Sequence, residues 1–142
     1  MKTKPWQLIT LLIFATCAED MPDCPSKMCV LTGGWRLAEA YVDGEPDTGD
    51  LSSYRLILHA PAQETSLTSG FDRTQPSGNT DAGLWSVENG GTVLRLVPGN
   101  DPQLLEDWVI ESFTPRKMTL VMHRNTSIKQ GPSEIRFVLI LL

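Results

Sequence analysis

The chain has 142 residues, with 17 acidic and 12 basic side chains and a formal net charge of −5. This length fits one domain of ordinary size. An acidic chain lacks the surplus of Lys and Arg that phosphate-rich partners need, so the composition argues against nucleic acid and anionic lipid surfaces as partners.

The N-terminus has the organisation of an export signal. Lys2 and Lys4 supply a basic start, and residues 8–15 are apolar apart from Thr10. A basic region followed by a short apolar run and small residues is typical of secretory signals. The run is too short for a membrane-spanning helix, which needs roughly 20 apolar residues.

The sequence Phe14-Ala15-Thr16-Cys17 ends this segment. It resembles the lipobox of bacterial lipoproteins, in which cleavage occurs just before a cysteine that receives lipid. The resemblance implies a signal peptide over residues 1–16 and lipid attachment at Cys17. The protein would then be held on a bacterial outer membrane, facing the periplasm or the cell surface. The alternative is an ordinary secretory signal cut near Ala18, which would leave Cys17 on the discarded peptide.

Residues 17–30 show neither the helical nor the strand period and are predicted to be a tether. If Cys17 carries lipid, Cys24 and Cys29 remain as an even pair, which suits a disulfide in an oxidising compartment. Such a disulfide would close a very small loop and pin the chain locally. A metal site is the rival hypothesis, although no third cysteine or suitably placed histidine lies nearby. Free thiols are the remaining alternative.

From Leu31 onward the pattern is one of short strands separated by turns, and no window of a dozen residues has a good 3.6-residue apolar repeat. Asn89-Gly90 between two alternating runs predicts a tight hairpin, because both residues tolerate positive φ. Residues 72–80 and 124–132 are predicted loops, and 103–106 form one helical turn at most. The candidate strands are 35–42, 53–59, 64–71, 84–87, 92–97, 107–113, 118–123 and 135–142.

This pattern predicts an all-β fold of about eight antiparallel strands in an up-and-down arrangement. The last candidate strand is apolar on both faces and would be an aggregation hazard as a free edge. Pairing it with the first strand removes both edges, which favours a closed barrel over an open sandwich. A subunit interface is the other explanation for the apolar end of the chain.

Two Gly-x-Trp stretches carry a family resemblance, at residues 33–35 and 83–85. The first, within Leu31-Thr32-Gly33-Gly34-Trp35, resembles the first strand of calycin barrels such as lipocalins. The second, with residues 93–96 and 107–120, resembles small bacterial lipocalin-like lipoproteins. The resemblance covers residues 31–142 and implies a lipocalin-like β-barrel with Trp35 plugging its narrow end. Avidin has a similar opening, but its later motifs do not follow here.

No catalytic motif accompanies this resemblance. His59 and His123 are isolated and lie outside metal-ligand spacings, and the sequence contains no nucleophile elbow or phosphate-binding glycine loop. Asp72 and Asp81 are predicted to be solvated loop acids. We therefore expect no enzyme activity, no catalytic residue, no metal site and no cofactor.

An eight-stranded barrel either holds one small ligand or is filled by its own side chains. Strand alternation predicts inward-facing sets that would suit a small apolar or amphipathic ligand. The alternative is that these residues only fill the core, and that loops bind an unknown protein partner. An open mouth favours a ligand site, and a filled lumen favours protein interaction. The candidate lining is Tyr54, Leu56, Leu58, Trp85, Met118, Leu120 and Met122.

Overall fold

The computed structural model describes residues 27–63, 65–123 and 134–142. The predicted signal peptide, the lipidation site Cys17, the disulfide partner Cys24 and most of the predicted tether lie outside these ranges. Their predictions are therefore not tested.

In the described part of the chain, one short helix precedes nine strands. The helix α1 spans Lys27–Leu31, and a single-turn 3-10 helix occurs at Asn89–Gly91 and another at Pro102–Leu104. The strands are β1 Gly33–Val42, β2 Glu45–Pro46, β3 Arg55–Leu58, β4 Ser69–Thr74, β5 Thr80–Glu88, β6 Val93–Pro98, β7 Glu106–Thr114, β8 Lys117–His123 and β9 Glu134–Leu141.

The strands form one antiparallel sheet that closes on itself. Neighbours along the chain pair in order from β3 to β9, and β1 pairs with both β3 and β9. The two-residue β2 only extends the end of β1. Eight strands therefore make the ring, which is the up-and-down arrangement found in lipocalins. The predicted all-β fold, an antiparallel up-and-down barrel of eight strands, is confirmed.

The barrel has two distinct ends. The closed end contains α1, the β5–β6 hairpin and the β7–β8 turn, whereas the distal end contains the β1–β3, β4–β5 and β6–β7 connections. At the β5–β6 hairpin, Asn89 has φ 51° and Gly90 has φ 66°, as the sequence predicted. Farther along that strand pair, a Cβ on Gly83 would lie 2.0 Å from the Val97 carbonyl oxygen, so the close approach requires glycine.

The core occupies the interior of the barrel and continues into α1. Met28 and Leu31, three residues apart in α1, are buried with the inward-facing strand residues. The largest fully buried side chains are Trp35, Trp85, Tyr54, Phe71, Leu31, Leu56, Leu58, Leu94, Leu96, Met118, Leu120 and Leu139. Apolar burial of this kind is the main force that stabilises the fold.

Two local predictions differ from the structure. Residues 27–30 were predicted to be tether, but they belong to α1, which is too short to display helical periodicity. Residues 72–74 were predicted to be loop, but they complete β4, and Asp81 lies in β5. The side chains of β4 do alternate between the two faces, since Phe71 and Arg73 are both buried. The pattern was not recognised in the sequence because a charged arginine occupies an inward-facing position.

Candidate functional site

All seven predicted lining residues belong to the barrel interior. Six of them are buried with at most 2% of their surface exposed, namely Tyr54, Leu56, Leu58, Trp85, Met118 and Leu120. Met122 is partly buried and packs against the same core. The inward orientation thus agrees with the strand period, and a role in ligand binding stays a prediction.

The closed end of the interior is filled by indole rings and aliphatic side chains. Trp35 is fully buried, donates its indole N–H to the Leu31 carbonyl oxygen at 2.9 Å, and meets Phe113 edge-on at 6.3 Å between ring centroids. Trp85 donates its indole N–H to the His59 carbonyl oxygen at 3.1 Å. Satisfying the indole N–H is what allows a tryptophan to be buried. Trp35 therefore plugs this end, as the resemblance implied.

The distal end of the interior contains a buried ion network centred on Arg73. Its Nε and Nη2 donate to the two carboxylate oxygens of Asp81 at 2.9 and 2.6 Å, and its Nη1 donates to Glu106 at 2.6 Å. Arg73 lies on β4 and Glu106 on β7, with β5 and β6 between them in the ring, so this second pair crosses the interior. The Arg73 side chain is 4% exposed, and both carboxylates are more exposed than it is.

Aromatic rings surround this network. Trp108 donates its indole N–H to Glu106 at 3.1 Å and stacks on Phe137 at 4.9 Å between centroids, and Tyr54 meets Phe137 edge-on at 5.4 Å. Burial raises the pKa of the Tyr54 hydroxyl. Burial lowers the pKa of Arg73, but hydrogen bonds with Asp81 and Glu106 outweigh it and the pKa is raised. Both side chains are therefore fixed in their ordinary protonation states, which suits a structural network better than proton transfer.

A cavity of about 650 Å³ lies on the outer face of β1, β9, β8 and β7. Its central charge, Arg136, is paired with Glu111 at 2.7 Å and with Glu134 at 3.5 Å. Tyr41 donates to Glu39 at 2.9 Å, and this hydrogen bond raises the pKa of Tyr41. The polar groups of this groove thus largely satisfy one another.

A second cavity, of about 360 Å³, lies at the distal rim of β3, β4 and β5. Arg55, Ile57, Thr74 and Thr80 contribute outward-facing side chains, and Arg73 with Asp81 reaches it from the interior side. Asp72, the remaining acid of the lining, bonds to the imidazole Nε2 of His59 at 2.5 Å.

The two histidines have different surroundings: His59 pairs with Asp72, whereas His123 lies at the edge of the Glu134–Arg136–Glu111 group. His123 lies 3.9 Å from Glu134, and in the part of the chain covered by the structure no three His, Cys, Asp or Glu side chains are grouped to hold a metal ion.

Among the residues in the three described ranges, no helix is long and apolar enough to cross a membrane.

The functional candidates that sequence reasoning missed are charged. Asp81 follows Arg73 by eight residues and Glu106 follows it by 33. Neither acid has a local pattern that marks it as a partner of a buried arginine. The only available signal was the two-residue spacing of Phe71 and Arg73, which places both on the inner face.

Comparison with known proteins gives a similarity of fold alone. A lipocalin-like protein from Bacteroides uniformis ATCC 8492, whose crystal structure is known, matches with a TM-score of 0.48 and 11% sequence identity. The match covers 80% of this chain and 99% of that chain. No protein-family model and no curated protein matches the sequence. The assignment of an eight-stranded barrel therefore rests on this chain's own strand pairings.

Proposed function

We propose that this chain is an exported, lipid-anchored, non-catalytic binding protein that uses its outer surface and loops, and that its barrel core is filled. The single observation that carries the proposal is the packing of the interior. The side chains predicted to line the lumen belong to one buried hydrophobic cluster or pack against it, which supports a filled core.

A ligand in the lumen would have to displace this core. Leu56, Trp85 and Met118 are fully buried near the middle and closed end of the barrel, and the Arg73 network crosses the distal end. Interiors packed at crystal-like density leave few voids larger than a water molecule. Binding energy is then available only on the outside, where both described cavities open.

The proposed anchor is the lipidated Cys17. About ten residues separate it from α1, and an extended chain of that length spans at most roughly 33–36 Å. Because α1 lies at the closed end, the tether would hold that end toward the membrane and leave the distal loops facing away. Labelled palmitate should enter the wild-type protein and not a Cys17→Ala variant. Equal absence of label from both would refute the anchor.

A titration with apolar probes tests the filled core. We expect fatty acids and a hydrophobic dye to leave the emission of the buried tryptophans unchanged up to about 1 mM, a concentration that corresponds to very weak binding. A Leu120→Ala variant is the matched positive control. Its truncated side chain should leave a dry cavity that admits a benzene-sized probe, provided that the core was full beforehand.

A ligand in the mouth of the barrel is the second candidate, and one observation favours it. The inward-facing Met122, Ile135 and Phe137 at the distal end are only partly buried. The test is whether an apolar probe binds the wild-type protein and the closed-end variant Met28→Ala but not Met122→Asp. That result would support a ligand site in the mouth of the barrel and contradict the filled core.

A further inference from the structure

The arginines of the barrel divide into two groups. Arg73, Arg95 and Arg136 each form ion pairs with two carboxylates. Arg36 and Arg55, like the exposed turn residue Arg116, pair with no carboxylate of residues 27–63, 65–123 and 134–142. The contrast is informative because the chain contains 17 acidic side chains to neutralise its 12 cations.

Arg36 and Arg55 lie directly opposite each other on the outer face of the barrel. They are Cα partners in the β1–β3 ladder. Their neighbours Trp35 and Leu56 point into the core, so alternation directs both arginines outward. Facing side chains in such a pair have Cβ atoms about 4.5–5.5 Å apart, and like charges at this separation destabilise the sheet.

Arg55 is also held in place. Its Nη1 donates to the carbonyl oxygens of Ser52 at 2.7 Å and Tyr54 at 2.8 Å. Within the described chain, its Nε and Nη2 make no hydrogen bond and keep two donor directions for another group. A guanidinium that is oriented by its own backbone loses less conformational entropy when it binds.

Hydroxyl donors continue this row across the sheet. Arg55 is the Cα partner of Thr74, and Thr74 is the partner of Thr80. These three line the 360 Å³ cavity, with Ile57 and Ala82 as its apolar part. Its two acids are already engaged, Asp72 by His59 and Asp81 by Arg73.

We propose that this surface, formed by Arg36, Arg55, Thr74 and Thr80 and here called the arginine pair site, binds a phosphate monoester. A phosphate monoester carries a charge of about −1.5 to −2 at pH 7 and three acceptor oxygens. Two guanidinium groups match that charge, and planar guanidinium forks bind phosphate oxygens in pairs. A carboxylate would leave one of the two cations without a partner. The inference rests on the proposed function in one respect, that binding occurs outside the lumen.

The same phosphate chemistry has two sources, a soluble phosphate ester and the headgroup of a membrane lipid. The negative net charge of the whole chain disfavours binding to extended polyanions and to anionic lipid surfaces. A single phosphate group, however, interacts mainly with the two nearby arginines. Within a few ångströms, the nearest charges dominate over those separated by more than a Debye length of about 8–10 Å.

The soluble arm of the test uses isothermal titration calorimetry on the full-length chain carrying Cys17→Ala, with glucose 6-phosphate as the probe and glucose as its uncharged counterpart. We expect a dissociation constant of about 1 mM or tighter for the phosphate ester only. Arg36→Gln and Arg55→Gln should each weaken binding by about tenfold or more, since each removes one charge-assisted donor set. Arg116→Gln, which removes an exposed arginine in the β7–β8 turn, is the matched control and should bind as the parent does.

The lipid arm measures cosedimentation of the same proteins with vesicles of phosphatidylcholine, with and without phosphatidic acid. Binding to phosphatidic acid alone identifies a lipid source, and binding to glucose 6-phosphate identifies a soluble one. The inference is overturned if neither probe binds, or if Arg116→Gln weakens binding as much as the two site variants. The thermal midpoint of each variant is measured first, so that loss of binding is not mistaken for unfolding. Arg36→Gln removes one of two facing like charges and should melt at an unchanged or higher temperature, whereas Arg55→Gln also loses the hydrogen bonds to the Ser52 and Tyr54 carbonyl oxygens. If neither phosphate probe binds and apolar probes leave the tryptophan emission unchanged, only the phosphate site is contradicted. If apolar probes bind in the lumen, the filled-core function is contradicted.

Discussion

The two ends of the barrel interior are filled by different chemistry. At the closed end, Trp35, Trp85 and the residues of α1 pack apolar surface against apolar surface. At the distal end, Arg73 pairs with Asp81 on the adjacent strand and with Glu106 across the lumen, and Trp108 donates a hydrogen bond to Glu106. Apolar packing therefore stabilises one end of the barrel interior, and an ion network stabilises the other end.

The interior of one barrel is thus packed by apolar contacts at one end and by charged contacts at the other. Apolar packing tolerates modest exchanges of shape, whereas a buried ion network is stable only when each partner is present. In the described chain, no buried side-chain nitrogen or oxygen lacks a hydrogen-bond partner. At the closed end, each deleted apolar side chain should therefore lower the free energy of unfolding. At the distal end, deleting one charged partner should lower it, whereas neutralising all three partners together should restore most of the loss.

The largest expected effect is at the closed end. Trp35→Ala should lower the free energy of unfolding by about 3–5 kcal/mol, the usual cost of deleting a buried aromatic side chain. Urea denaturation measures this change. Leu84→Ala removes an outward-facing side chain that is 52% exposed, and it should change stability by less than about 0.5 kcal/mol. Similar losses for the two variants would contradict the plug described here.

The distal end should show a smaller single effect and a rescue. Arg73→Met leaves Asp81 and Glu106 without their cation and should lower the free energy of unfolding by about 2–3 kcal/mol. This is slightly less than the roughly 3–5 kcal/mol typical of a broken buried pair, because both acids retain some exposure. Combining it with Asp81→Asn and Glu106→Gln should restore most of that loss. A triple variant as unstable as Arg73→Met would show that the network contributes by shape rather than by charge.

The smallest effect is expected on the outer face, at the Arg95–Asp107 pair. The hydrogen bond from Arg95 lowers the pKa of Asp107, against a smaller raising effect of burial. A lowered pKa gives stability that is present above the unfolded-state pKa of about 3.9 and is lost as the pH falls through the native value. Asp107→Asn should therefore cost about 0.2–1 kcal/mol at pH 7 and nothing in strong acid.

The control for this pair is a double-mutant cycle with Arg95→Gln, measured by urea denaturation at both pH values. Without Arg95, Asp107→Asn should have the same effect at pH 7 and in acid. A cost that persists in acid, or that is independent of Arg95, would assign the effect to something other than the pair.

The apolar half of this comparison could be predicted from the sequence, and the polar half could not. Residues 54–58 and 118–122 alternate cleanly, so their inward faces follow directly from the strand period. The Asn89-Gly90 turn was equally readable, because positive φ at both positions is a local property. Barrel closure followed from a global argument, that the apolar last strand needs a partner on each side.

Charged contacts escaped prediction because they depend on register and on distance across the lumen. Arg73 contacts Glu106 although two strands, β5 and β6, lie between β4 and β7 in the ring. Arg36 faces Arg55 only because β1 and β3 pair in one particular register. A shift by one residue would move every side chain to the other face. The helix α1 was missed for a different reason, because five residues are fewer than two turns and give no period to detect.

The pairing of β1 with β9 also has a consequence for how the chain folds. Trp35 and Leu141 are register partners although roughly a hundred residues separate them, so the ring closes through a contact of high sequence separation, the kind that slows folding. Every other ladder joins neighbours along the chain apart from the short β2 insertion. Before β9 pairs during folding, β1 and β8 are the two unpaired edge strands of a strongly apolar sheet. The interval before closure is thus the stage at which this protein is most exposed to aggregation, and the residues of β9 govern how long it lasts.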